Sequence, residues 1–393
     1  MIHFTVRIFQ IVGILGCFSS SIYYLICLWS AAAFLRQRPA GGGARPTQSL
    51  PPVSILKPLK GTDPDIYESF RSHCLQDYPE YEIIFGLSDP DDPAVASVRQ
   101  LQREFPDRTI QLIVSPHILG SNVKVSNLEQ MLPAARHQHL LVNDSDICVE
   151  HDYLRRVIGP LLDEDERVGM VTCLYRGVAT VTIGSQLESL GISTDFCAGV
   201  LVARQLEGGL RFGLGSTLAF RRTDLEEIGG FRSIVDFLAD DYELGRRIAN
   251  LGLQVVLSDV IVETHLPAYD LRGFFAHQLR WARGVRDSRT GGYIGLVSTY
   301  GLMWGLVALI ASRAAPWAWA VLAGTFLLRL AMALTVGRFV LKDQPLLRYL
   351  WLLPLRDLIA VGVWVASLAG HTVTWRGDRF DLKNGRLIRL APK

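Results

Sequence analysis

No C-x-x-C pair and no Cys/His cluster occurs among the six cysteines, at 17, 27, 74, 148, 173 and 197. Their scatter indicates neither a zinc site nor a disulfide framework, and fits reduced thiols in a protein facing the cytoplasm. An excess of charge of either sign is missing too: 40 Lys and Arg stand against 38 Asp and Glu, for a net charge of +2. Without a basic field, nucleic acid is excluded as a partner. The 393 residues suffice for one large domain or two ordinary ones, and 49% are hydrophobic. That is high for a water-soluble chain, so the position of the apolar excess matters.

It sits at the two ends. Residues 8–34 form an uncharged run longer than the ~20 residues a bilayer crossing needs. No small-residue cleavage site follows, so the run reads as an anchor rather than a signal peptide. Arg36, Arg38 and Arg45 follow it and place the downstream side in the cytoplasm. A Pro/Gly linker covers 38–52. Apolar runs return at 292–312 and 314–337, which reads as a membrane hairpin with Arg329 facing either the bundle or a headgroup. A third segment, 349–370, contains Pro354, Arg356 and Asp357. A third crossing would put the basic tail outside, so an interfacial or re-entrant helix is expected. The expected organisation is an anchor at 1–37, the linker at 38–52, a catalytic domain at 53–290, membrane segments at 291–370 and a basic cytoplasmic tail at 371–393.

The middle alternates between two periods. Strand-like runs at 53–59, 81–89, 110–116 and 139–146 are separated by helical patterns at 65–76, 94–105 and 126–136. This predicts a mostly parallel sheet covered by helices, with ligands bound beyond the carboxyl ends of the strands. Asp89 ends the second run, and Asp144-Ser145-Asp146 ends the fourth. Two carboxylates one residue apart repel unless a cation separates them. Mg²⁺ or Mn²⁺ held by Asp144 and Asp146 answers that; a polar turn in which Asp and Ser cap the next element is the alternative. Lys124 reads as a neutraliser of a diphosphate or as a solvated lysine at a helix start. Asp240, Asp241 and Glu243 open an amphipathic helix, as dipole-stabilised carboxylates or with one of them a general base. In "HQLRWARG" (277–284), Arg280 and Trp281 fit either an interfacial anchor or a group beside a leaving diphosphate.

In that order, Asp89, Asp144, Asp241 and the Arg280-Trp281 pair resemble the D, D, D, (Q/R)xxRW series of inverting glycosyltransferases of the Rossmann-like GT-A fold. More narrowly, "VSILKPLKG" (53–61), "NVKVSNL" (122–128), "GGFRSIVDFLADDY" (229–242) and "WRGDRFDLKNG" (375–385) resemble the ceramide glucosyltransferase family, family 21. That family includes bacterial hopanoid-associated relatives. The resemblance covers nearly the whole chain. It implies an α/β GT-A domain with one N-terminal and two to three C-terminal membrane helices. It assigns Asp89, Lys124, Asp144, His277, Arg280 and Trp281 to the nucleotide-sugar, Asp144 and Asp146 to Mg²⁺ or Mn²⁺, and Asp241 to the base. His277 departs from the pattern, standing where Gln or Arg is usual.

The reaction so implied is a single inverting displacement from a UDP-sugar onto a lipid hydroxyl. UDP-glucose and ceramide are the first pair, and UDP-N-acetylglucosamine with a hopanoid polyol is the alternative. The setting would be a bacterial inner membrane with the catalytic domain cytoplasmic. A lipid acceptor leaves the bilayer at about 0.8 kcal/mol per CH₂, so the enzyme has to work at the membrane. The apolar stretch 187–203 reads as a membrane-docking segment or as ordinary core. A polysaccharide synthase shares the carboxylate series but needs more spans to make a channel.

Overall fold

A computed structural model describes residues 2–37, 50–163, 167–375 and 377–390. Most of the 38–52 linker and the last three residues of the tail lie outside them. The chain divides into two compact units. One comprises Gln37–Thr180, Leu206–Pro267 and Arg379–Lys393, and the other Met1–Arg36, Val181–Gln205 and Ala268–Asp378.

The first unit is built on an eight-stranded sheet. Its strands are β1 (Val53–Pro58), β2 (Tyr81–Leu87), β3 (Thr109–Val114), β4 (His139–Val142), β5 (Ile147–Cys148), β6 (Val168–Val178), β7 (Leu218–Arg221) and β8 (Gln254–His265), in the order β3-β2-β1-β4-β7-β6-β8-β5. Pairing is parallel across β3-β2-β1-β4 and between β6 and β8, and antiparallel where β7 meets β4 and β6 and where β5 meets β8. Every residue of β1 and β2 is buried, as expected of inner parallel strands covered on both faces. Strand β3, at the edge, is only half-buried. Gly86 in β2 admits the helix Val123–Met131, since a Cβ there would lie 2.2 Å from Met131 Sδ.

The tail is not a free basic segment. Asp378–Lys383 and Arg386–Arg389 form an antiparallel hairpin. Leu387 N donates to Asp236 O at 2.7 Å and Leu238 N to Gly385 O at 2.9 Å. The Arg386 guanidinium lies 5.1 Å from the centre of the Phe237 ring. The tail's charge is carried by a structured hairpin of the sheet unit.

The second unit is helical. Among the described residues, three helices are long and apolar enough to cross a membrane: His3–Leu35, Pro316–Val340 and Leu346–Leu368. A fourth crossing results if Thr290–Thr299 and Gly301–Ala311, bent by 49° at a short break, form one span. The break therefore falls in the first C-terminal run rather than in the third. Asp357, in the third segment, is paired: Arg329 Nη2 lies 2.7 Å from Asp357 Oδ1 and 2.6 Å from Asp195 Oδ1. Arg329 is 3% exposed and faces its neighbours in the bundle. Pairing removes the main cost of placing these charges among apolar helices. The stretch 187–203 also belongs to this unit, in the helices Ile183–Gly191 and Cys197–Leu206 joined by a π-helical turn at Ile192–Phe196.

Candidate active site

Parallel pairing brings the ends of β1, β2 and β4 to one edge of the sheet, and the chemistry collects there. Beyond β4, Asn143 is fully buried and anchors the turn. Its Nδ2 donates to Tyr153 Oη at 2.8 Å and to Ser216 O at 2.6 Å, while its Oδ1 lies 3.2 Å from His73 Nε2. Asp144 and Asp146 follow, half-buried. Asp146 Oδ2 accepts from Thr264 Oγ1 at 2.7 Å, and Ser145 Oγ donates to Asp63 Oδ2 at 2.5 Å. Burial first, and then Asp144, push the Asp146 carboxyl up to about 6.

Lys124 lies on the helix Val123–Met131, capped by Asn122, whose Oδ1 accepts from Val125 N at 3.2 Å. Its Nζ sits 2.7 Å from Asp144 Oδ1 and 3.0 Å from Asp240 Oδ2. Burial alone would lower its proton affinity, but Asp144, Asp240 and Asp241 outweigh that and hold it above its ordinary value. Asn122 Nδ2 also donates to Phe237 O at 2.7 Å, fixing the approach to the helix Asp240–Asn250. At the start of that helix, Asp241 Oδ2 accepts from Gly215 N and Oδ1 from Tyr242 N, both at 2.8 Å. Burial and Asp240 raise the Asp241 carboxyl to about 6 against the pull of Lys124. Gly215 lies close against both carboxylates: a Cβ there would lie 2.7 Å from Asp144 Oδ2 and 3.4 Å from Asp241 Oδ2 and would push the Asp144 side chain aside.

The sheet unit thus brings together Lys124, Asp144, Asp240 and Asp241, with Asp146 beside them. Asp89 stands two residues beyond β2, exposed, with Oδ1 accepting from Asp91 N at 3.0 Å. His277, Arg280 and Trp281 lie in the other unit, on the helix Leu271–Ser288. The His277 ring stacks on Tyr269 at 5.3 Å and meets Trp281 at 5.4 Å.

Two features add to the residues read from the sequence. Lys57, in the fully buried β1, donates from Nζ to the Asp144 main-chain oxygen at 3.1 Å. Burial lowers it to about 7, against the pull of Asp146 and Asp144. A lysine inside an otherwise apolar strand was the available signal. Cys148, Glu263 and His265 also gather across β5 and β8, with ligand atoms within 4.8 Å of one another. Two of these are already engaged, Glu263 by Arg176 at 2.7 Å and His265 by Asp65 at 2.9 Å.

Chemically, Asp144 and Asp146 offer hard oxygen donors at one point, and an ammonium already rests against one of them. That donor set suits a small divalent cation. Asp241, held by two main-chain N–H groups and raised toward neutrality, suits proton transfer.

Ceramide glucosyltransferase 1 of Caenorhabditis elegans is 23% identical over 398 residues, covering 98% of this chain and 82% of that protein. The ceramide glucosyltransferase of Komagataella phaffii is 31% identical over 125 residues, covering 30% of this chain and 25% of that protein. Among solved structures, mannosyltransferase PcManGT of Pyrobaculum calidifontis, in complex with GDP-Man and Mn²⁺, has a TM-score of 0.56 at 20% identity. That match covers 93% of this chain and 99% of that one, and shows the shared GT-A-like fold. The sequence profile of glycosyl transferase family 21 matches residues 12–388. The chain belongs to glycosyl transferase family 21 and is a glycosyltransferase.

Proposed function

We propose that this glycosyltransferase moves a sugar, with inversion, from a UDP-sugar to a hydroxyl of a membrane lipid, and that the pair is UDP-glucose and ceramide. The observation that carries the reading is the Lys124–Asp144–Asp240–Asp241 cluster beyond the carboxyl ends of the parallel strands, in a chain whose described residues include three helices apolar enough for a bilayer. The ceramide glucosyltransferase relatives support the choice of lipid. The catalytic unit is proposed to face the cytoplasm of a bacterial inner membrane.

In this reading the acceptor oxygen forms a bond to the anomeric carbon as the bond from that carbon to the diphosphate oxygen breaks. The hydroxyl proton passes to Asp241. Lys124 stabilises the charge that develops on UDP, and Asp89 binds the nucleotide. Asp144 and Asp146 hold Mg²⁺ or Mn²⁺, which when bound supplies positive charge to the diphosphate. The roles of His277, Arg280 and Trp281, beside diphosphate and acceptor, rest on their motif.

The test supplies membranes with Mg²⁺ or Mn²⁺, labelled UDP-glucose or UDP-N-acetylglucosamine, and ceramide or bacteriohopanetetrol. Label moving from UDP-glucose into ceramide is the expected result. Label in the hopanoid would change the acceptor and keep the chemistry. A growing water-soluble polymer would overturn the lipid reading.

A further inference from the structure

Strand β5 ends the sheet beside β8 and is only two residues long, shorter than a strand usually needs to hold its place. It nevertheless begins one residue after Asp146. Its antiparallel pairing sets Cys148 opposite Glu263, and His265 follows two residues along β8 on the same face. Ligand atoms of these three half-buried residues lie within 4.8 Å of one another. Their other contacts orient the set. Both bonds from Arg176, Nε at 3.0 Å and Nη2 at 2.7 Å, fall on Glu263 Oε1 and leave Oε2 outside the pair. His265 Nδ1 lies 2.9 Å from Asp65 Oδ2, and the ring also hydrogen-bonds Cys148. A carboxylate on one ring nitrogen is the usual support of a metal-binding histidine, because it fixes the tautomer and presents the other nitrogen as a ligand.

The donor set differs in kind from the hard oxygens of Asp144 and Asp146. A thiolate and an imidazole favour zinc over magnesium. With the thiol ionised, Cys148, Glu263 and Asp65 carry three negative charges against the one positive charge of Arg176, and a dication balances them. We infer that Cys148, Glu263 and His265 bind a zinc ion, with Asp65 holding His265, and that this ion clasps β5 to β8. Three protein ligands leave the fourth tetrahedral position to water. All of these residues belong to the sheet unit. The clasp supplies what two residues of ladder lack: it fixes the chain just beyond Asp146. It is separate from the divalent site proposed at Asp144 and Asp146, and it stands whatever the donor and acceptor are.

The test uses the full-length enzyme in nanodiscs, stripped with chelator and titrated with Zn²⁺ or Co²⁺ in excess Mg²⁺, which occupies the Asp144–Asp146 site. One tightly held Zn²⁺ per chain by elemental analysis is expected, and with Co²⁺ a thiolate-to-cobalt charge-transfer band. Cys148→Ser should abolish the band, since the other cysteines are buried elsewhere. Asp65→Gly, which suits the left-handed backbone at that position (φ 49°), should weaken Zn²⁺ binding about 10–100-fold, and His265→Gln at least as much. Asp146→Asn should leave the band in place. Amide exchange across 144–149 should slow when Zn²⁺ is added. Thermal midpoints of the metal-free variants check folding. No band in the wild type, or a band that survives in folded Cys148→Ser, would overturn the zinc site. Loss of the band in Asp146→Asn would overturn its separateness from the donor metal, and exchange unchanged by Zn²⁺ would overturn the clasp.

Discussion

Asp241 is the residue on which the proposed chemistry turns. Asp241→Asn is expected to lower transfer by at least about 10²-fold while UDP binding survives, because the base is lost and the carboxylates near Lys124 remain. Retained transfer, measured with labelled donor, would remove Asp241 as base. Its carboxyl lies near 6 and has to be ionised to accept a proton. The rate should therefore fall as pH drops through about 6, and a pH–rate profile checks this. Asp146 shows the same shift as a cost to the fold. Its folded carboxyl sits near 6 against about 3.9 when unfolded, so above pH 6 the ionised form penalises folding, and the penalty fades as pH falls toward 4. Asp146→Asn should raise the thermal midpoint at pH 7 by a few degrees while weakening metal-dependent donor binding. Thr264 Oγ1 can still donate to the amide oxygen, so the turn keeps its hydrogen bond. Asp144, Asp146, Lys124 and Asp241 were all legible in the sequence, because charges at strand ends and helix starts break an apolar pattern. Lys57 breaks one too, but only the packing shows that its ammonium holds the Asp144 main chain.

Among the elements, the parallel half of the sheet was legible because inner parallel strands read as continuous apolar runs. The antiparallel insertion of β7 between β4 and β6 was not, since a four-residue strand carries too little pattern to fix its partner. The C-terminal hairpin was not legible as strands, because its arginines dominate the composition. In the folded unit one of them covers Phe237 and its backbone binds residues 236–238. Deleting residues 378–390 should therefore loosen the segment leading into Asp240 and Asp241. Faster amide exchange across 236–241, with reduced transfer, is the expected result; unchanged exchange would make the hairpin dispensable.

For the whole molecule, the apolar ends announce helices of membrane length, and the structure redistributes them. The expected hairpin is one broken run and one full helix, and the segment at 346–368 is long enough to cross. Its Asp357 is tolerated because Arg329 neutralises it. Arg329→Met leaves Asp195 and Asp357 without their shared cation and should cost roughly 3–5 kcal/mol. Adding Asp357→Leu should recover part of that, as thermal midpoints in nanodiscs would show. A single variant as stable as the wild type would argue against a buried ion pair. The sequence by itself determined the periodic elements, the apolar helices and which side chains carry charge, because those follow from local pattern and composition. Only the tertiary structure decided that Lys124 stands between Asp144 and Asp240, that 181–205 joins the apolar helices, and which buried charges have partners. Those contacts join residues that are distant in the chain, and they form only when packing closes the loops between them.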